Sequence, residues 1–335
     1  MFLFKNTNVN IPVSTNDRIK GSIIGFIVGD ALGVPVEFID RETLRKNKIN
    51  DMEEFGTHHQ PKGTWSDDSS MMLATIDGII NSSLPIIDYV YIMKNFLKWK
   101  REGKFTPFDN VFDIGNTTSY ALSRYQNNIN SGNEENIICG TGDISSNGNG
   151  SLMRILPISL LLHFSSFDYT SNEYFDIIKN ISSMTHSHNY SIIGCYIYSI
   201  YVSELLKENG KFVAYKNLQD ICSNIKIDGI EVYDRIIKND ISKLNENAIK
   251  SSGYVVDTLE AVMWSFLTTN TYKDAVLKSV NLGDDTDTVG AITGGLAGIY
   301  YGYKAIPDNW VNVLQKKDYI VQITNDFVNK INNSQ

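Results

Sequence analysis

Apolar residues return every three or four positions through most of the chain, as in Met72, Ile76, Ile79 and Ile80 and again in Val90, Met93, Phe96 and Leu97. That is the spacing of one face of an α-helix, whereas a half-buried strand would alternate every second residue. The spacing predicts helices over 15–32, 67–82, 87–101, 115–127, 151–163, 173–183, 188–206, 214–224, 255–268, 272–280, 286–302 and 318–331. Pro35, Pro61, Pro85, Pro107, Pro157 and Pro307 each fall near a predicted helix edge or turn, where a missing N–H does least harm. The expected class is therefore all-α, in a single domain over 1–335, with 1–14 as an N-terminal extension. Residues 126–146 carry Asn, Gly and Ser and read as a loop, while 207–252, rich in Lys, Asn, Asp and Glu, read as an exposed helical insertion. No fixed-period repeat is present, which sets aside a solenoid.

Composition narrows the picture. With 335 residues, 42% hydrophobic and 20% charged, the chain can bury a large core. A net charge of −8 and a sequence pI of about 5.2 leave no global basic field to hold a nucleic-acid backbone, although a local patch stays open. Cys139, Cys195 and Cys222 are far apart and lack CxxC spacing, so neither a disulfide framework nor a thiolate zinc site is expected. The opening apolar run is too short for a signal peptide, and apolar stretches such as 23–28 and 158–162 fall short of the roughly 20 residues that cross a bilayer. A soluble, cytoplasmic protein without a membrane partner is expected, as a monomer.

Two acidic clusters carry the candidate chemistry. Ser66-Asp67-Asp68-Ser69 stands directly before a helical run, with Ser66 placed as an N-cap, and first-turn acids of this kind can serve the helix alone. Gly283-Asp284-Asp285-Thr286-Asp287-Thr288-Val289-Gly290 also opens onto a helical run of small and apolar residues. Three aspartates within four residues repel one another and call for protons or a cation. Oxygen donors without a His/Cys cluster suit Mg²⁺, Mn²⁺ or Ca²⁺ and disfavour Zn²⁺, and the loop lacks the EF-hand ligand pattern. If the two clusters faced each other they could share a pair of metals.

Further signals surround these clusters in the same order along the chain: residues 21–38, with Gly25, Gly29, Asp30, Gly33, Pro35 and Glu37; then Gly148-Asn149-Gly150-Ser151-Leu152-Met153-Arg154; then Thr185-His186. Together the five motifs resemble the ADP-ribosylglycohydrolases, a family that includes the dinitrogenase-reductase-activating glycohydrolase and the ADP-ribosyl-acceptor hydrolases. The resemblance runs from about Ile19 to Tyr303. It implies a compact orthogonal multi-helix bundle with a binuclear metal site in a central cleft. The protein ligands to two Mg²⁺ or Mn²⁺ ions would be Ser66, Asp67, Asp68, Asp285, Asp287 and Thr288.

The resemblance also implies the activity: release of ADP-ribose from an ADP-ribosylated protein or other acceptor by cleavage at the anomeric carbon of the distal ribose. Glu37, Asp67 and Asp68 are the catalytic candidates, and Gly148, Asn149, Gly150, Ser151 and His186 the substrate-binding ones. On residues alone, Glu37 reads as a solvated carboxylate, the glycines as a turn, and His186 equally as a helix cap. A helix beginning near Ser151 would offer N–H groups to a pyrophosphate. Arg154 reads as a phosphate contact or an internal ion pair, and the ion pair is the expectation because the residue would lie a full turn into that helix. His58, His59 and His163 lack metal-type spacing and are left out of the site, and Tyr254 can stack on a ligand ring or simply pack. Two departures from the family pattern stand out: Ser66 and Ser69 replace threonines, and Asp284 occupies a position that is often glycine. The rival readings are a crystallin-like relative that binds ADP-ribose without turnover, and a two-metal phosphoesterase.

Overall fold

The structure, a computed structural model, describes residues 13–165 and 167–333. Helices begin where a short polar side chain replaces a missing acceptor: Ser14 accepts from Asp17 N–H, Asp88 from Tyr91, Ser171 from Tyr174 and Thr271 from Asp274. Among the described residues there are fifteen α-helices. They are α1 (Thr15–Gly33), α2 (Arg41–Lys46), α3 (Asp67–Asn81), α4 (Tyr89–Glu102), α5 (Asn116–Asn130), α6 (Leu156–Phe164), α7 (Asn172–Ser183) and α8 (Asn189–Leu206). The chain continues with α9 (Lys211–Ser223), α10 (Asp234–Ile237), α11 (Val255–Leu267), α12 (Tyr272–Val280), α13 (Thr286–Tyr301), α14 (Asp308–Asn312) and α15 (Lys317–Asn332). No sheet occurs among them; two isolated bridges, Thr141 to His186 and Gly148 to Tyr254, tie loops together. The fold is all-α, as the periodicity predicts.

Four expectations need correction. The helix predicted from 151 begins with a single 3₁₀ turn, Leu152–Arg154, and becomes α-helical only at Leu156, with Pro157 in its first turn. The presumed loop from 126 is still helical to Asn130. Residues 207–252 are less exposed than their composition suggests, because Tyr215, Leu218, Cys222, Tyr233 and Ile236 are buried in the same apolar cluster as the rest. Finally, Thr15–Val36 does reach the length and hydropathy of a membrane span, with a mean hydropathy of 1.5 over an 18-residue window, yet 94% of that window is buried within the protein. Its apolar character is the signature of a helix surrounded by protein on all sides. The short helices α2, α10 and α14 went unpredicted, and most of the N-terminal extension, residues 1–12, lies outside the described residues.

The centre of the molecule is the pair α1 and α13, packed backbone against backbone. A Cβ placed on Gly21 would sit 2.5 Å from the carbonyl oxygen of Gly298, and one on Gly25 would sit 2.7 Å from that of Gly294. Gly29 meets Gly290 in the same way. Small residues at every fourth position therefore let the helices touch where side chains would hold them 8–10 Å apart. This contact brings Asp30, near the C-terminal end of α1, beside the first turn of α13, which carries Asp287.

Candidate metal centre and cleft

Asp30 organises the first acidic cluster. Fully buried, it accepts from the N–H of Ser66 (2.9 Å), the N–H of Ser69 (3.0 Å) and the Ser69 hydroxyl (2.5 Å). It thus caps α3 from outside while Ser66 caps it from within, accepting from Asp68 N–H (3.3 Å). The same Ser66 hydroxyl donates to Asp68 Oδ2 (3.0 Å). Sequence reading gave Asp30 no role, though a signal existed: a lone acid in an otherwise apolar helix must find donors or a cation.

The second cluster is held by loop pairing. Phe38 N–H donates to Asp284 O (2.7 Å) and Asp284 N–H to Ile39 O (3.0 Å), which joins the segment after Glu37 to the turn before Asp285. Both Phe38 (φ 64°) and Asp284 (φ 59°) adopt the left-handed backbone region to do so. Thr286 Oγ1 donates to Gly33 O (2.9 Å), and Asn149 Nδ2 donates to Asp285 Oδ2 (2.7 Å). The clusters meet directly where Thr288 Oγ1 donates to Asp68 Oδ2 (3.3 Å).

Carboxylate oxygens of Asp30, Asp68 and Asp287 lie within 4.8 Å of one another, as do those of Glu37, Asp285 and Asp287, so Asp287 belongs to both groups. Burial first, and then mutual repulsion, drives Asp67, Asp68 and Asp287 well above the usual carboxylate range. Asp285 is raised, again chiefly by burial, despite its bonds from Thr288 and Asn149. Burial pushes Asp30 to about 6 against the opposing pull of its serine donors. Asp68 Oδ1 is buried with no hydrogen-bond partner. Crowded carboxylates with an orphaned oxygen and hydroxyls beside them fit a hard divalent cation. All six predicted ligands, Ser66, Asp67, Asp68, Asp285, Asp287 and Thr288, are brought to this centre.

Glu37 follows the 3₁₀ turn Val34–Val36 and is 4% exposed, hence not the solvated side chain that its loop position suggests. Burial raises it to about 7, with Asp113 and Asp285 adding to the shift and a hydrogen bond to His58 Nε2 opposing it. His58 is itself raised, first by that bond. His58, which sequence spacing left without a partner, thus meets Glu37 from 21 residues away. Asp113 completes a Glu37–His58–Asp113 group that no spacing rule singled out. His59 is exposed, and His163 is pushed down to about 4, first by burial and then by the charge of Lys207.

These residues open into a cleft of about 270 Å³ lined by Glu37, Phe38, Asp67, Asp113, Thr118, Gly148, Asn149, Gly150, Met153, His186, Gly253, Asp285 and Thr288 among others, with no Lys or Arg among the described residues. A larger hollow of 930 Å³ beside Phe175, Tyr196 and Ile221 shares no lining residue with it. Of the predicted substrate-binding residues, Gly148, Asn149, Gly150 and His186 line the cleft. Ser151 is fully buried; its hydroxyl lies 3.0 Å from Ser182 Oγ and accepts from Cys195 Sγ (3.5 Å), so that side chain supports the wall from behind. With only a 3₁₀ turn at 152–154, the loop lacks the helix N-terminus expected of a pyrophosphate site. Arg154 forms no ion pair among the described residues: it is fully buried, donates to Thr185 Oγ1 (2.7 Å) and lies 4.8 Å from the Phe96 ring. Tyr254 is 38% exposed and not packed in the core.

An all-α scaffold that gathers two distant acid–hydroxyl clusters at one cleft is the arrangement of a hydrolase class that acts on ADP-ribosyl groups. The family model for ADP-ribosylglycohydrolase matches residues 12–335, and the chain belongs to that family of enzymes. It is 31% identical over 312 residues to the ADP-ribosylarginine hydrolase Tri1 of Serratia proteamaculans, covering 92% of this chain and 79% of that one. The ADP-ribosyl-[dinitrogen reductase] glycohydrolase of Rhodospirillum rubrum is 26% identical, with 91% and 92% covered. A solved structure titled ADP-ribosylglycohydrolase-related protein complex superposes with a TM-score of 0.76 at 26% identity, covering 94% of this chain and 98% of that one.

Proposed function

We propose that the protein hydrolyses the bond between the anomeric carbon of the distal ribose of ADP-ribose and an arginine side chain, in a reaction that depends on divalent metal. The convergence of the two clusters on Asp287, with Asp68 Oδ1 left without a partner, carries the metal part of this reading. Ser66, Asp67, Asp68, Asp285, Asp287 and Thr288 would hold two Mg²⁺ or Mn²⁺ ions. Asp30 would support them, since both its oxygens are occupied by α3 donors. When bound, such ions supply Lewis-acid polarisation of ribose oxygens.

The chain's own groups account for the rest. Cleavage at the anomeric carbon develops positive charge on the sugar, which Glu37, Asp67 and Asp285 along the cleft stabilise. A water adds to that carbon and loses a proton, while the departing guanidine nitrogen gains one. Glu37, raised to about 7 and hydrogen-bonded to His58, is poised to carry it between them near neutral pH. The acceptor in the name of the Serratia relative is arginine, which supports a guanidinium acceptor here.

The test is release of free ADP-ribose from arginine-linked and serine-linked substrates, with Mn²⁺ or Mg²⁺ present or removed by chelation. Arginine-linked substrate should be cleaved preferentially and only with metal. Preference for the serine-linked substrate would overturn the acceptor, and full activity after chelation would overturn the metal.

A further inference from the structure

Behind the cleft wall, three side chains form a chain of hydrogen bonds that the chemistry above does not use. Arg154 Nη2 donates to Thr185 Oγ1 (2.7 Å), and Thr185 Oγ1 lies 2.8 Å from His186 Nδ1. All three are buried, Arg154 and Thr185 completely. A guanidinium can only donate, so the threonine oxygen accepts from it. Among the described residues the one acceptor within reach of the threonine proton is His186 Nδ1, which places the proton on that bond. Nδ1 then serves as acceptor, and in a neutral imidazole the ring proton must sit on Nε2.

Neutrality has an independent cause. Burial, followed by the positive charge of Arg154, pushes His186 down to about 3. The backbone of His186 is also fixed, with its N–H donating to Ser182 O (2.8 Å) and its carbonyl accepting from Ser182 Oγ (2.9 Å). The ring edge faces residues 148–150 of the cleft: a Cβ on Gly150 would lie 2.8 Å from Cε1, and one on Gly148 would lie 3.5 Å from Nε2. Gly150 is glycine here because the imidazole occupies the space a side chain would need.

We infer that Arg154, acting through Thr185, is a positioning residue that holds His186 as the Nε2–H tautomer, so that this wall of the cleft donates a hydrogen bond to an acceptor atom of the ligand. The ligand half of the inference rests on the proposed function; the tautomer does not.

Nitrogen-15 NMR of the imidazoles in the full-length protein decides the tautomer without any substitution. The result expected is a neutral His186 protonated at Nε2 from pH 5 to 8. A ring protonated at Nδ1, or doubly protonated in that range, would overturn the relay. Thr185→Val removes the hydroxyl at nearly constant volume, and Thr185→Ser restores it. Calorimetry with ADP-ribose should show Thr185→Val binding about tenfold more weakly, the loss of one well-placed hydrogen bond, together with a mixed or reversed tautomer. Thr185→Ser should return both to the parent values. A Thr185→Val protein with unchanged tautomer and affinity would remove Arg154 and Thr185 from this role, and so would a Thr185→Ser protein that recovers neither. If Thr185→Val does not fold, Thr185→Ser and the parent spectrum still decide. An Nε2–H ring in a parent protein that binds no ADP-ribose would leave the relay standing and sink the proposed function instead.

Discussion

Glu37 shows how far surroundings can move one side chain from its ordinary behaviour. Its burial and its acidic neighbours raise it to about 7, and His58 holds its other side. Glu37→Gln keeps the shape and a hydrogen-bonding group but cannot exchange a proton. Turnover should fall by ~10²–10⁴-fold, with a much smaller change in the affinity for ADP-ribose, as single-turnover assays beside calorimetry would measure. Turnover at the parent rate would take Glu37 out of the chemistry. Asp284 is the opposite case. It stands among metal-ligand candidates, yet it is exposed and its φ of 59° explains why glycine suits the position. Asp284→Gly should therefore raise stability by up to ~1 kcal/mol in denaturant unfolding while keeping catalysis. A variant as inactive as Asp287→Ala would make Asp284 a ligand or base after all.

At the scale of elements, the contact between α1 and α13 sets the separation of the two acidic clusters. Asp30 holds α3 from α1, and Asp287 rides on α13, so any displacement between these helices is transmitted to the centre. Gly25→Ala places a methyl carbon 2.7 Å from a backbone carbonyl oxygen and 2.9 Å from the Tyr272 ring, neither of which can yield cheaply. Overpacking of this kind costs ~1–3 kcal/mol. Thermal melts should show that loss, and metal titrations should show weakened affinity although no ligand has changed. Unaltered metal affinity would mean that the helices accommodate the methyl without moving the site.

For the whole molecule, the balance between buried acids and buried imidazoles governs the response to metal and to pH. Asp67, Asp68 and Asp287 are raised by burial and mutual repulsion, an unfavourable arrangement that the divalent cations proposed above would relieve. Mn²⁺ at a hundred times its Kd should add about 2.7 kcal/mol of stability, read as a rise in Tm that chelation reverses. No rise would argue against a metal centre. His163 and His186 act on the pH axis, with folded pKa values of about 4 and 3, below the ordinary value of about 6.5. Between those limits the unfolded chain binds protons that the native state refuses, so their contribution is complete above pH ~6.5 and is lost as pH falls towards 3–4. Because the acids shift in the opposite sense, the clean comparison is variant against parent. His163→Gln should lose less stability than the parent between pH 7.5 and 5 in urea unfolding. An identical loss would show that His163 is not kept neutral in the native protein.

The helical class, all twelve long helices and the two acid–hydroxyl clusters were legible in the chain itself, because periodicity, capping residues and the hydroxyl–carboxylate pattern are local properties; the set of six ligand candidates came from the family resemblance. Their boundaries failed chiefly at 151–155, where a 3₁₀ turn and a helix share one apolar run. What only the tertiary structure decided is which distant groups meet. Asp30, His58 and Asp113 joined the site, Arg154 found Thr185 and Phe96 in place of a carboxylate, and Ser151 turned into the core. The pKa values followed, since desolvation and repulsion depend on neighbours from other helices. Periodicity tells which face of a helix is buried, but not against what; that depends on how closely the helices approach, which here the glycines of α1 and α13 set.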